Sequence, residues 1–380
     1  MKIVQVHNQY QNPTGDDAVV REESDLLKSH GHEVFHFFKT NDALASASLI
    51  QKLKVARAMR ASSQIRSEFT DFLKANRPDV VHAHNLFPLI TPVVFEVCQA
   101  LAIPVVQTLH NYRLVCVNTL FYRDGHVCED CLDKTLKEGV KHKCYNGSRL
   151  QSYLMADAIG YHHRQDTWNR QVDAFICLSD FARSKFVKGG IQPEKLVVKP
   201  NFVKDPAVSG HYEDFWLYAG KLEEQKGLDD FLQLARQRPD QAFQVAGYCD
   251  DQSVFSHLPN VTYLGQLKRE VLMGLMNRCK GVLFLSKMYE GMPMTILEAF
   301  AHKKSVLARK RGAMAEMIRP GENGGLYETV DELAGLIDQY AALDVCQQLG
   351  ARAYVDFTEH YSGKVAYQAL MNVYDSVING

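Results

Sequence analysis

The chain of 380 residues has no excess of charge of either sign, with 43 Lys and Arg against 44 Asp and Glu. That balance argues against a nucleic-acid binder, which concentrates basic charge on one face. It also has no apolar run near the roughly 18 residues that span a bilayer, its runs being as short as Lys2 to Val6 and Val282 to Leu285. The first residues, MKIVQVHNQY, lack the apolar core and small-residue cleavage site of a secretory signal, so a cytoplasmic location is expected. Nine cysteines, an odd number spread over a long chain, suit free thiols better than a disulfide framework. No G-x-G-x-x-G turn follows the first apolar run, which speaks against a dinucleotide-dependent oxidoreductase. No Asp-x-Asp stands at a strand end to hold Mg²⁺, and Asp16-Asp17, Asp229-Asp230 and Asp250-Asp251 are adjacent pairs.

What is present is an alternation of short apolar runs with segments of helical spacing. Lys2 to His7 reads as a strand, Ala18 to Ser29 as a helix and His32 to Phe38 as a strand. The pattern continues with strands at Val80 to His84, Pro104 to Leu109, Ala174 to Leu178 and Leu196 to Lys199. It begins again at Trp216 to Ala219, with later strands at Ala242 to Ala246, Val261 to Leu264, Gly281 to Ser286 and Ser305 to Ala308. Such alternation predicts parallel sheets covered by helices on both faces. At roughly 150 residues per domain the length predicts two α/β domains: 1–205, with a Cys-rich insertion at about 112–147, and 206–362, followed by a helix at 363–380 that crosses back onto the first.

Two segments carry chemistry. In SKMYEGMPMTILEAFA, residues 286 to 301, Glu290 sits in a loop after a strand and Pro293 stands where a helix begins. Glu298 then lies just over one turn into that helix. Parallel sheets bind ligands at this end, and amides at Met292, Met294 and Thr295 belong to a helix start suited to an anion. In WLYAGKLEEQKGLDDFL, residues 216 to 232, Lys221 and Lys226 flank a strand-to-helix connection and supply two positive charges to a diphosphate without a metal ion. Each segment also has a bland reading, as a helix with a favourable first-turn acid and as solvated loop lysines.

These segments, with the loop ending at Gly15, TLHNYR at 108–113, ICLSDFARSKFV at 176–187, VVKPNF at 197–202 and PGENGGLYE at 320–328, together resemble the retaining, two-domain (GT-B) glycosyltransferases of glycosyltransferase family 4. The resemblance spans essentially the whole chain. It implies two Rossmann-like domains facing a deep cleft, and a hexosyltransferase that needs no cofactor and no metal. The donor would be a nucleotide diphosphate sugar, UDP-linked by preference and UDP-glucose first, and the acceptor a glycan or lipid-linked saccharide in bacterial polysaccharide biosynthesis. It further implies that Lys221 and Lys226 bind the diphosphate, Glu298 the ribose, and Glu290 the ring hydroxyls of the donor sugar. Amides from Gly291 to Thr295, including Met292 and Met294, would hold sugar and phosphates. Gly15 would let the first loop approach the phosphate, His110 would face the reacting sugar, and Gly247 and the turn from Gly265 to Leu267 would pack against the base. The competing readings are a GT-B epimerase or phosphorylase and a catalytically silent nucleotide-sugar-binding protein.

Three further features stay open at the level of sequence. His82 and His84 alternate on one strand and stand near His110 as supporting candidates. Cys116, Cys128, Cys131 and Cys144 form a C-x11-C-x2-C-x12-C series that reads either as a structural zinc site or as separate thiols. Lys52, Lys54, Arg57, Arg60 and Arg66 fall in a stretch with no acid from Ala43 to Ser67, which reads as a basic amphipathic helix on an anionic membrane surface or as a solvated face.

Overall fold

A computed structural model describes residues 1–10, 15–42, 55, 58–206, 208 and 211–380. The chain divides into two compact units, one of residues 1–121, 128–201 and 366–380, the other of 122–127 and 202–365.

In the first unit six parallel strands run in the order β2-β1-β3-β4-β7-β8. They are β1 (Lys2–Gln9), β2 (Glu33–Thr40), β3 (Val80–Ala83), β4 (Val105–Leu109), β7 (Ala174–Cys177) and β8 (Leu196–Val198). Every residue of β3, β4 and β7 is buried, as expected of strands covered on both faces. Helix Ser63–Asn76 starts where the Ser62 side chain accepts from the Ile65 amide and caps it. Helix Gly363–Ile378 ends the chain, and its Leu370, Met371, Val373 and Tyr374 pack with Ile3, Leu27, Val80 and Ile176. Each such buried aliphatic side chain contributes about 1.5–3 kcal/mol, which is enough to hold the last helix on the first unit.

The second unit repeats the plan, with order β11-β10-β9-β12-β13-β14. Its strands are β9 (Trp216–Ala219), β10 (Phe243–Ala246), β11 (Val261–Tyr263), β12 (Gly281–Phe284), β13 (Ser305–Arg309) and β14 (Gly324–Tyr327). Trp216, Phe231, Phe243 and Tyr327 centre its core. Two helices, Val330–Gln339 and Leu343–Asp356, follow the last strand. The Cys-rich stretch supplies a two-stranded antiparallel hairpin, β5 (Tyr122–Arg123) and β6 (His126–Val127). Its turn, Asp124-Gly125, has positive φ at both residues, the conformation that a tight hairpin requires and that Asp-Gly tolerates.

In both sheets the order reverses beside the first strand of the unit. β1 is followed on one side by β2 and on the other by β3, and β9 by β10 and β12. The loops leaving the two strands at such a point diverge and open a crevice at their carboxyl ends.

Candidate active site

The crevice of the second unit is shaped by glycines. Gly220 leaves β9 and Gly247 leaves β10, and a Cβ on Gly247 would lie 1.7 Å from the Gly220 carbonyl oxygen. Gly227, at φ +87°, starts helix Leu228–Gln237, and a Cβ there would meet the Leu285 carbonyl oxygen at 2.3 Å. The connection from β9 therefore lies against the connection from β12, and the Lys287 amide donates to the Gln225 carbonyl at 2.9 Å. This tie brings Lys226 to Glu290, Nζ to Oε1 at 2.8 Å, while the Ser286 hydroxyl donates to the same oxygen at 2.6 Å. Tyr218 supports the lysine from below, its hydroxyl donating to the Lys226 carbonyl at 3.0 Å.

The remaining residues expected at this site are placed separately. Lys221 is exposed, and its ammonium lies 3.4 Å from Glu223. Glu298 is buried in the second turn of helix Met294–Ala301 and accepts from Arg269 at 2.6 Å. Met292 is buried, whereas Gly291, Met294, Thr295 and Leu267 are half-buried. Sequence reasoning gave Ser286 and Arg269 no role. Arg269 opens a helix at an exposed position, and a long polar side chain reaching back from there leaves no periodic signal.

In the first unit His84 follows β3 and His110 follows β4, and the two rings meet with Nδ1 of His84 3.0 Å from Nε2 of His110. Both are buried, and behind them lies a carboxylate. Glu23, on helix Gly15–Ser29, is 2% exposed. Its Oε1 is 3.0 Å from His82 Nδ1 and 3.6 Å from His84 Nε2, and its Oε2 is 3.4 Å from the Lys199 ammonium. His82 is held further by the Tyr374 hydroxyl on Nδ1 at 2.7 Å and by Thr108 on Nε2 at 2.8 Å. Burial alone raises the Glu23 pKa, but the positive potential of His82 and Lys199 outweighs it and brings the group down to about 2. Burial first, and the charge on His7 second, lower His110 to about 3. Gly15 is the first residue of the helix that carries Glu23, and residues 11–14 lie outside the described residues.

Glu23, His82 and His84 offer ligand atoms within 4.8 Å of one another. The donor set suits a cation poorly, because Lys199 already neutralises the carboxylate and both nitrogens of His82 have partners. The four cysteines of the insertion form no disulfide, and no three of them bring their sulfurs that close. The hydrogen bond between the Cys116 and Cys131 thiols, opposed by burial, lowers Cys116 to about 7, and the same hydrogen bond together with burial raises Cys131. Of the basic stretch, Lys52, Lys54 and Arg57 lie outside the described residues. Arg60 pairs with Asp157 at 2.5 Å, and Arg66 pairs with Glu96. Among the described residues no helix is long and apolar enough to cross a membrane.

A consequence in solution follows from His110. Its folded pKa lies below the ordinary 6.5, so between pH 6.5 and about 3 the unfolded chain takes a proton that the folded chain refuses. Stability is therefore complete above pH 6.5 and falls with pH below it, by about 1.4 kcal/mol per pH unit for such a group. Urea titrations across that range should show a shallower slope for His110→Asn than for the unmodified protein. An unchanged slope contradicts the assignment.

Two parallel α/β units, each with a crevice at the carboxyl ends of its central strands, define a GT-B glycosyltransferase fold. Residues 15–205 match the family model described as Glycosyltransferase Family 4, and residues 203–355 the model described as Glycosyl transferases group 1. The chain belongs to glycosyltransferase family 4. It is similar to a lipopolysaccharide outer core galactosyltransferase, WaaB, at 17% identity and TM-score 0.67 over 99% of both chains. It is also similar to Anabaena HepE solved with UDP-glucose, at 17% identity and TM-score 0.60 over 98% of this chain and 99% of that one. A 42.6 kDa protein from the cps region of Klebsiella pneumoniae is 22% identical over 280 residues, 71% of this chain and 67% of that protein.

Proposed function

We propose that this glycosyltransferase moves a hexose from a nucleotide diphosphate sugar, UDP-linked and first of all UDP-glucose, to a glycan or lipid-linked saccharide in polysaccharide biosynthesis, with retention at the anomeric carbon. The observation that carries the reading is the contact of Lys226 with Glu290 at the β9/β12 crevice, next to the start of helix Met294–Ala301. A cation and a helix N-terminus together suit a diphosphate, and a carboxylate held by Ser286 and Lys226 suits sugar hydroxyls. Glu298 binds the ribose, and Lys221 approaches the diphosphate from solvent. The similarity to a protein from a cps region and to HepE in complex with UDP-glucose supports the polysaccharide setting and the uridine donor.

In the step itself the acceptor oxygen bonds to the anomeric carbon on the face that the diphosphate leaves. The bond from that carbon to the phosphate oxygen breaks with its electron pair going to the diphosphate, and the acceptor proton passes to a phosphate oxygen. Preorganised charge from Lys226 and the helix amides stabilises the departing diphosphate, so no metal ion is required. His110 meets a hydroxyl of the reacting sugar. The protein works in the cytoplasm, in peripheral contact with the inner face of the membrane.

A thermal-shift panel of UDP-, GDP- and ADP-sugars tests the donor. UDP-glucose should stabilise the protein, undiminished by EDTA, and Glu298→Ala should reduce the shift. Stabilisation by none of the nucleotides, or strict Mg²⁺ dependence, sinks the reading.

A further inference from the structure

Among the buried groups of the first unit that the transfer chemistry does not use is the carboxylate of Glu23. It stands behind His84, which stands behind His110. Its side chain can only accept hydrogen bonds, and this fixes where protons sit along the row. His84 is neutral, since burial holds its pKa well below the usual value. It therefore carries one ring proton. With that proton on Nδ1, a lone pair on Nε2 would point at the Glu23 carboxylate 3.6 Å away, which is repulsive. With the proton on Nε2, the N–H has no hydrogen-bond partner among the described residues, but its positive end lies 3.6 Å from the carboxylate, which is electrostatically attractive. The Nδ1 of His84 is then a lone pair, and at 3.0 Å it must receive the Nε2–H of His110. His110, neutral as well, is left with a bare Nδ1. That atom is buried and has no protein partner. A cavity of about 20 Å³, lined by His84 and His110 among others, lies beside the pair, room for one water or one hydroxyl.

We propose that Glu23 is a positioning residue for His110. Through His84 it holds His110 in the Nε2–H tautomer, so that Nδ1 is presented as a hydrogen-bond acceptor to a hydroxyl of the reacting sugar. Lys199, at Oε2, keeps the carboxylate ionised, and His82, fixed by Thr108 and Tyr374, holds the same Oε1 that lies near His84. The inference rests on the reading of His110 as the group that meets the sugar.

The test is a long-range ¹H–¹⁵N correlation spectrum of histidine-labelled protein at neutral pH, with hydrolysis of UDP-glucose measured alongside. In the unmodified protein His110 should show a protonated Nε2 and a bare Nδ1. In Glu23→Gln the amide can donate as well as accept, so His84 and His110 should populate both tautomers. The kcat should fall about tenfold to a hundredfold, as when the outer partner of a functional imidazole is lost, with KM for the donor changed less than about threefold. Because Glu23→Gln strands a buried ammonium, Glu23→Gln/Lys199→Met removes both charges and should fold while showing the same mixed tautomers. A protonated His110 Nδ1 in the unmodified protein, or tautomers and kcat unchanged in both variants, overturns the proposal. Full activity of His110→Ala with the expected tautomers overturns instead the role given to His110, so the two failures are told apart.

Discussion

Replacing Lys226 with alanine lowers kcat/KM for the nucleotide-sugar donor by about thirtyfold to four-thousandfold, the equivalent of the 2–5 kcal/mol lost when one partner of a desolvated charge pair is truncated. Two effects add. The diphosphate loses the ammonium that would neutralise it, and Glu290, now held by Ser286 without its cation, repels the incoming anion. Lys226→Arg restores part of the activity by restoring the charge. Lys221→Ala is the control: its side chain is 65% exposed and its partner Glu223 is a surface carboxylate, a setting worth about 0–1 kcal/mol. Steady-state kinetics on the three variants decide the matter, and a loss for Lys221→Ala as large as that for Lys226→Ala contradicts it.

Gly247→Ala unfolds the second unit more easily by roughly 3 kcal/mol or more, through φ strain of about 1–3 kcal/mol and a backbone collision of similar cost. Gly247 has φ +149°, and the added Cβ would fall 1.7 Å from the Gly220 carbonyl oxygen. Neither segment is free to retreat. The Gly247 amide donates to the Gly265 carbonyl at 2.8 Å, and the Gly220 amide to the Ala246 carbonyl at 3.0 Å. At about 2–4 °C per kcal/mol for a unit of this size, the melting temperature should drop by roughly 6–12 °C or more. Gly335→Ala offers the opposite case: it lies in helix Val330–Gln339 with nothing within 4 Å of a Cβ, and should gain about 0.5–1 kcal/mol. A melting temperature of Gly247→Ala within about 2 °C of the unmodified protein contradicts the account.

The strands were legible because each is a short apolar run between polar turns, and the expected bounds of β3, β4 and β7 lie within one residue of the observed ones at each end. Helix starts were less so, since capping by Ser62 begins helix Ser63–Asn76 six residues before Phe69, with Ile65 alone buried between them. The hairpin at Tyr122–Val127 had its signal in Asp124-Gly125, but flanking strands of two residues each show no alternation. In the second unit, Lys226 and Glu290 were legible as types at strand ends, whereas their mutual contact depends on Gly227 fitting under Leu285, a three-dimensional fact. Glu23 had a readable signal. It occupies the buried stripe of its helix, three residues after Val20 and four before Leu27, where an acid stays only with partners. His82 and Lys199, its partners, come from strand ends far away in sequence and carry no mark of the pairing.

The central claim places the donor diphosphate at the start of helix Met294–Ala301, beside Lys226 and Glu290. Methyl spectra of ¹³C-methionine-labelled protein titrated with UDP test it most directly, because methionines flank that point at Met288, Met292 and Met294, while Met59, Met155 and Met371 are buried in the first unit. The account predicts saturable shifts led by Met292 and Met294, lost in Lys226→Ala. Shifts confined to Met59, Met155 or Met371, or none that saturate, would contradict it.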